Sequence, residues 1–159
     1  MAHFKDLSVC TYFSLADCSS LRAVGWLSRE VPYATGEVTE AAFGKLCQLT
    51  QNPWSPMACA GVHFCDLCRF TGNSVGQFEG QHSRYAVSAA SASVSLFVPG
   101  DGVIYVSPTS ITHSIDAHGY CPPAEFLEAV LRCPPMRSMA YLKAILANGG
   151  RKWGIKLNG

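Results

Sequence analysis

Apolar residues recur at helical spacing in four segments of the chain, and each segment starts or stops at a recognisable signal. The first predicted helix begins at Thr39 and ends at Asn52, just before a proline. Its apolar stripe consists of Ala42, Phe43, Leu46, Cys47 and Leu49. Three more helices are expected to begin at Pro108, Pro122 and Ser138. Gly119 ends the second helix, because glycine readily adopts the left-handed conformation that follows a last helical turn.

Extended, β-branched runs predict the strands. Residues 94–98 and 103–106 flank the sequence Pro-Gly-Asp-Gly, which is a strong signal for a β-hairpin. Residues 4–13 are expected to form a first strand and residues 21–27 a second, shorter one. Residues 71–93 contain few large apolar side chains, so we expect a mobile surface loop or an extended edge segment there. Together, the elements predict an α+β fold.

The length of 159 residues suits one domain, which we assign to residues 1–150, with residues 151–159 as a C-terminal tail. The chain shows no signal peptide and no long apolar segment, so we expect a cytoplasmic protein. Only 14% of residues are charged, and the net charge is +1. A surface this poor in charge favours a protein partner or an oligomer interface.

Two pairs of metal-binding residue types define the candidate site. Cys65 and Cys68 are two residues apart on an expected tight turn, and His113 and His118 follow the hairpin on an expected helix. Two thiolates and two imidazoles make a complete tetrahedral ligand set for Zn²⁺. The fold predicted from this is a small zinc-stabilised domain, with the hairpin between a cysteine knuckle and the histidine-bearing helix, and with further helices towards the C-terminus.

The histidine spacing leaves alternatives open. Five positions on a regular helix rotate the second ring by about 140° beyond a full turn, so both rings reach one ion only if the helix end is distorted. His63 shares a strand face with Cys65 and is therefore an alternative ligand, or a group that hydrogen-bonds to a thiolate. The cysteine pair alone is also typical of a redox site, although no thioredoxin-like pattern surrounds it.

The remaining cysteines have no motif spacing. In a reducing compartment they are expected to be small apolar core residues rather than disulfides. They are Cys10, Cys18, Cys47, Cys59, Cys121 and Cys133.

Several blocks resemble a family of small uncharacterised bacterial proteins that is classed as a domain of unknown function. The blocks lie at 24–27, 32–38, 61–68, 97–106 and 113–126, and the last has the pattern HxIxxHGYxPPxEF. The resemblance spans about residues 4–133. It implies a cytoplasmic bacterial protein that shares Cys65, Cys68, His113 and His118, with His63 also in its GxHxCxxC pattern. It implies no established reaction.

Three functions compete at this stage. A filled ligand shell favours a non-enzymatic zinc protein that acts as a protein-interaction module, in immunity or regulation. The segment from Leu131 onward is basic and contains no acidic residue, which is consistent with nucleic-acid binding, with a base stacked on Trp153 if the basic side chains form a face beside it. The predicted contacts are Arg137, Lys143, Arg151 and Lys152.

The third candidate is a zinc hydrolase in which one histidine is free and Asp66 or Asp116 is the base. If the protein is not a hydrolase, each of these carboxylates is expected to be a solvated group on a turn or on the helix surface.

Overall fold

The computed structural model describes residues 2–13, 15, 17–57, 61–68, 78, 85–87 and 91–153. Its strands are β1 (Leu21–Ala23), β2 (His63–Phe64), β3 (Ser91–Ala92), β4 (Ser95–Pro99) and β5 (Ile104–Pro108). Its helices are α1 (Glu40–Gln51), α2 (Ile111–His118), α3 (Ala124–Arg132) and α4 (Met139–Ala147), followed by a 3-10 helix at Gly150–Trp153. The α+β class predicted from the sequence is confirmed.

The helices begin and end where local chemistry satisfies their free backbone groups. The Thr39 hydroxyl accepts a hydrogen bond from the Ala42 amide at the start of α1, and the Ser138 hydroxyl accepts one from the Tyr141 amide at the start of α4. At the end of α2, Gly119 has φ +63° and its amide donates to the Ser114 carbonyl. The four predicted helices are therefore present.

The main sheet has the strand order β1-β5-β4. Strands β4 and β5 form the predicted antiparallel hairpin, in which Phe97 is paired with Val106. Strand β1 lies parallel to β5, with Leu21 paired with Ile104. A second, two-stranded sheet pairs β2 with β3 in antiparallel orientation. Strand β5 is central and buried throughout, as expected of a strand covered on both faces.

The strand predicted over residues 4–13 does not form. This segment does lie against β1, since the Leu7 amide donates to the Ala23 carbonyl, but its only bridge joins Val9 to Arg22. The backbone turns at Leu7, whose φ is +67°. In addition, the Asp6 carboxylate accepts hydrogen bonds from the Gly25 amide and the Tyr120 hydroxyl. These bonds hold a turn where a regular strand would have continued.

One hydrophobic core lies between the main sheet and the helices. Helix α1 packs against α2 and α3, while α3 and α4 pack against β4. The fully buried large side chains include Phe43, Phe97, Phe126 and Tyr141. Trp153 is also buried, so the first residues of the predicted tail are held by the core. Among the described residues, no helix has the length and apolar character that crossing a membrane requires.

The described cysteines are free thiols. Cys10, Cys47 and Cys133 are buried as predicted, while Cys18 and Cys121 are half-buried. The prediction for Cys59 lies outside the described residues.

Most of the segment at 71–93, predicted as a loop or edge segment, also lies outside the described residues. Phe78 is described and is buried. Its ring is stacked on Phe43 of α1, with the centroids 3.9 Å apart. Its amide donates to the Asp116 carboxylate on α2.

Candidate metal centre

The cysteine pair lies on a tight turn that directly follows β2. Between the two thiols, Asp66 ties the turn to the preceding part of the chain: its carboxylate accepts hydrogen bonds from the Arg29 amide at 2.9 Å and the Ser28 hydroxyl at 3.3 Å. The Arg29 side chain donates in turn to the Asp66 carbonyl at 3.1 Å. Because three bonds hold one residue of the turn, the directions of both sulfur atoms are constrained before any metal binds.

The histidine pair lies on α2, which is the helix that the sequence predicts. His113 is in the body of the helix, and His118 is its last residue, directly before the left-handed Gly119. The Tyr33 hydroxyl donates to the His118 carbonyl at 3.3 Å, which fixes this end of the helix. The imidazole rings are 5.1 Å apart between centroids and nearly perpendicular, at 79°.

The four side chains converge on one point. Their ligand atoms all lie within 4.8 Å of one another. The Cys68 sulfur is 3.3 Å from Nε2 of His113 and 3.3 Å from Nε2 of His118, and the Cys65 sulfur is 3.4 Å from Nε2 of His118. Tetrahedral bonds of about 2.3 Å to sulfur and 2.0 to 2.1 Å to nitrogen place such atoms about 3.6 Å apart. These residues could therefore hold a metal ion, and their donor atoms and spacings fit one.

The protonation states of the histidines also suit a ligand role. Burial lowers the pKa of His113, and the neighbouring His118 lowers it further. Burial likewise lowers the pKa of His118. Both rings are thus held in the neutral form, which is the form that offers a lone pair to a metal. Without a cation, burial raises the pKa of Cys68 to about 11, and the adjacent Cys65 raises it too. Metal binding therefore has to displace a thiol proton.

His63 is not one of the four converging residues. Its Nε2 lies 2.5 Å from the Tyr12 hydroxyl, and its ring packs edge-on against Trp26. His63 therefore contacts Tyr12 and Trp26, and its role as an alternative ligand stays a prediction. Tyr12 is 51 residues away in the chain and carries no motif that would have identified it as a partner.

The two carboxylates proposed as a catalytic base are both engaged elsewhere. Asp66 makes the turn contacts described above, and the hydrogen bond from the Arg29 amide is the main cause that lowers the pKa of its carboxyl. Asp116 was expected on the helix surface, but it is buried. That expectation is wrong because Phe78 donates its backbone amide to the Asp116 carboxylate.

The basic C-terminal segment is exposed but partly engaged. Arg132 forms an ion pair with Asp101 at 3.7 Å, and the Arg137 side chain donates to the Pro53 carbonyl. Lys143, Arg151 and Lys152 are exposed. Trp153 is only 3% exposed, so the prediction that it stacks on a base is wrong. Nucleic-acid binding by the basic residues themselves stays a prediction.

Comparison with known proteins gives one match. A family model described as "Domain of unknown function (DUF7919)" matches residues 2–131. This confirms the resemblance to an uncharacterised family, over nearly the same span as the sequence blocks indicate. No curated protein and no solved structure matches the chain.

Proposed function

The chain belongs to the DUF7919 family, a domain of unknown function, and on that premise we propose that it is a non-enzymatic zinc protein whose Cys2His2 site is structural. The observation that carries this proposal is the convergence of Cys65, Cys68, His113 and His118. A set of two sulfur and two nitrogen donors suits zinc. Four protein ligands complete its preferred tetrahedron and leave no position for substrate or catalytic water, whereas catalytic zinc sites usually have three.

A structural role also follows from what the site joins. The ligand pairs are 45 to 53 residues apart in sequence, one on the turn after β2 and the other on α2. Within the part of the chain that the structure describes, the sheet to which β2 belongs has two strands of two residues each, and such a small sheet has little stability of its own. A metal ion would hold it against the helix, so the free energy of metal binding would contribute directly to folding.

We infer further that the metal supports a protein-interaction surface. Val62 is 54% exposed and Phe64 is 73% exposed, and both precede the cysteine turn directly. Because side chains alternate along a strand, these two share one face, opposite His63. An aromatic side chain this exposed contributes little to the core but can anchor a partner. A bacterial, cytoplasmic protein with an immunity or regulatory role agrees with such a surface.

Metal analysis of the purified protein tests the zinc site. The wild-type chain is expected to contain one zinc ion, and Cys68→Ser is expected to lose it, with a fall of several kcal/mol in the free energy of unfolding. Cys121→Ser is the matched control, because Cys121 is a half-buried thiol outside the cluster. Zinc content that is equal in wild type and Cys68→Ser would contradict the proposal.

Quantitative affinity capture from the source cells tests the interaction surface. Phe64→Ser is expected to keep its zinc, to change the free energy of unfolding by no more than about 0.5 kcal/mol, and to lose the captured partner. Met139→Ser is the matched control, since Met139 is 67% exposed on α4. If Phe64→Ser captures the same proteins as Met139→Ser and wild type, the surface is not the docking site.

A further inference from the structure

One cavity in the structure shares no residue with the metal cluster. It has a volume of about 250 Å³ and lies between β1, the β4–β5 turn and α3. Small-molecule sites usually occupy about 300 to 1,000 Å³, so this cavity suits a ligand at the small end of that range.

One face of α3 supplies most of the charged wall. Glu125, Glu128 and Arg132 all line the cavity. Residues three or four positions apart lie on the same side of a helix, so these three side chains follow one another along it. Arg22 on β1 and Asp101 in the β4–β5 turn complete the charged lining.

Tyr105 is the polar group at the base of this wall. It lies on the central strand β5, lines the cavity and is only 5% exposed. Its hydroxyl is open to the cavity and makes no hydrogen bond to a residue that the structure describes. Because this hydroxyl faces open space rather than protein, it can donate a hydrogen bond to a ligand that replaces water in the cavity.

The Tyr105 ring is held in place by its neighbours. Phe126 packs edge-on against it with the centroids 5.7 Å apart. On the other side, a Cβ atom at Gly100 would lie 2.6 Å from Cε2 of the ring, so only glycine allows the turn to approach this closely. The position of the hydroxyl is therefore set by packing before a ligand arrives, which lowers the entropic cost of binding.

The charges around the hydroxyl select the class of ligand. Arg132 and Asp101 partly neutralise each other, at 3.7 Å. This leaves two carboxylates, Glu125 and Glu128, and one guanidinium, Arg22. The Nη1 atom of Arg22 donates to the Ser19 and Leu21 carbonyls, so its other N–H groups are available to an anion. A matching ligand carries two positive groups and one negative group.

We propose that this cavity binds a free basic amino acid, lysine or arginine. The ligand carboxylate pairs with Arg22, its two cationic groups pair with Glu125 and Glu128, and the Tyr105 hydroxyl hydrogen-bonds to it. Four of the five charged side chains that line the cavity also influence the pKa of the phenol. After burial, Glu125 and Asp101 are what raise the pKa of Tyr105, while Arg132 and Arg22 oppose them.

Calorimetric titration of the full, zinc-supplemented chain tests the ligand class. Lysine or arginine is expected to bind at least about tenfold more tightly than norleucine, which lacks the second cation, and than cadaverine, which lacks the carboxylate. If neither amino acid binds up to about 10 mM, or if norleucine binds equally well, the proposal is overturned.

Single-atom variants test the residues. Tyr105→Phe keeps the packed ring and is expected to weaken binding about fivefold, the effect of one hydrogen bond. Glu128→Gln is expected to weaken it by at least as much, whereas Glu30→Gln, an exposed carboxylate elsewhere, leaves it unchanged. Wild-type affinity in both Tyr105→Phe and Glu128→Gln would show that the amino acid binds at another place and would refute the assignment.

Discussion

At the scale of single residues, Asp66 is adjacent in sequence to the expected metal ligands but is not expected to bind the metal itself. It lies between the two cysteines, yet its oxygens bond to Ser28 and Arg29 rather than pointing at the cluster. Groups that orient metal ligands commonly change metal affinity by 10- to 100-fold when they are removed. Asp66 is therefore expected to act on the metal through the shape of the turn.

We predict that Asp66→Ala lowers zinc affinity about tenfold, because the turn loses its tie to Arg29. The free energy of unfolding should fall by only about 1 kcal/mol, since the carboxylate is partly exposed and solvent screens its ion pair with the Arg29 guanidinium, at 3.8 Å. Competition with a coloured chelator measures the affinity. Glu30→Ala is the control, because the structure shows no hydrogen bond of its carboxylate to a described residue. Equal affinities in the two variants would argue against the role of the turn.

At the scale of elements, α2 resolves the difficulty that the histidine spacing poses. Five residues on a regular helix do not point two rings at one ion. Here His118 is the last helical residue, it is followed by a left-handed Gly119, and the Tyr33 hydroxyl holds its carbonyl. Both imidazoles then reach the Cys68 sulfur. The end of the helix is thus part of the metal site.

We predict that Gly119→Ala lowers both stability and zinc affinity. An alanine in the left-handed region costs about 1 to 2 kcal/mol, and relaxing that strain would move His118. Gly102→Ala is the matched control: its φ is +70° and a Cβ there also meets nothing, but it lies in the β4–β5 turn. Thermal unfolding and metal titration should show a similar loss of stability in both variants and a loss of affinity in Gly119→Ala alone. A loss of affinity in both would exclude this account.

At the scale of the whole molecule, the cluster connects two elements that are far apart in the sequence. The turn after β2 meets α2 at the four ligand residues, and Asp116 of the same helix holds Phe78 against α1. Helix α2 therefore contacts both the cysteine turn and Phe78. Conditions that protonate the ligands should weaken these connections together.

We predict that the metal-free chain loses stability as the pH falls below about 6.5, the ordinary histidine pKa. Burial lowers the pKa of His113 and His118 in the folded state, so the unfolded chain binds more protons over this range and is favoured by acid. The stability that the folded chain gains from keeping these two histidines neutral is fully present above the unfolded-state pKa. It is lost as the pH falls towards the lowered pKa values of the folded state. Urea unfolding at pH 7.5 and 5.5 measures the change. A double variant, His113→Gln with His118→Gln, should lose most of the pH dependence, and an unchanged slope would contradict the prediction.

The sequence by itself determined the four helices, the β4–β5 hairpin and the identity of the four converging residues. These features depend on local signals: apolar periodicity, capping residues, a Pro-Gly-Asp-Gly turn, and donor spacing within a few residues. Only the tertiary structure decided that Tyr12 pairs with His63, that Asp116 is buried, that residues 4–13 form no strand and that Tyr105 lines a cavity. Each of these depends on which distant segments pack together. The pattern of apolar and polar residues within one segment does not identify the distant segment that it contacts.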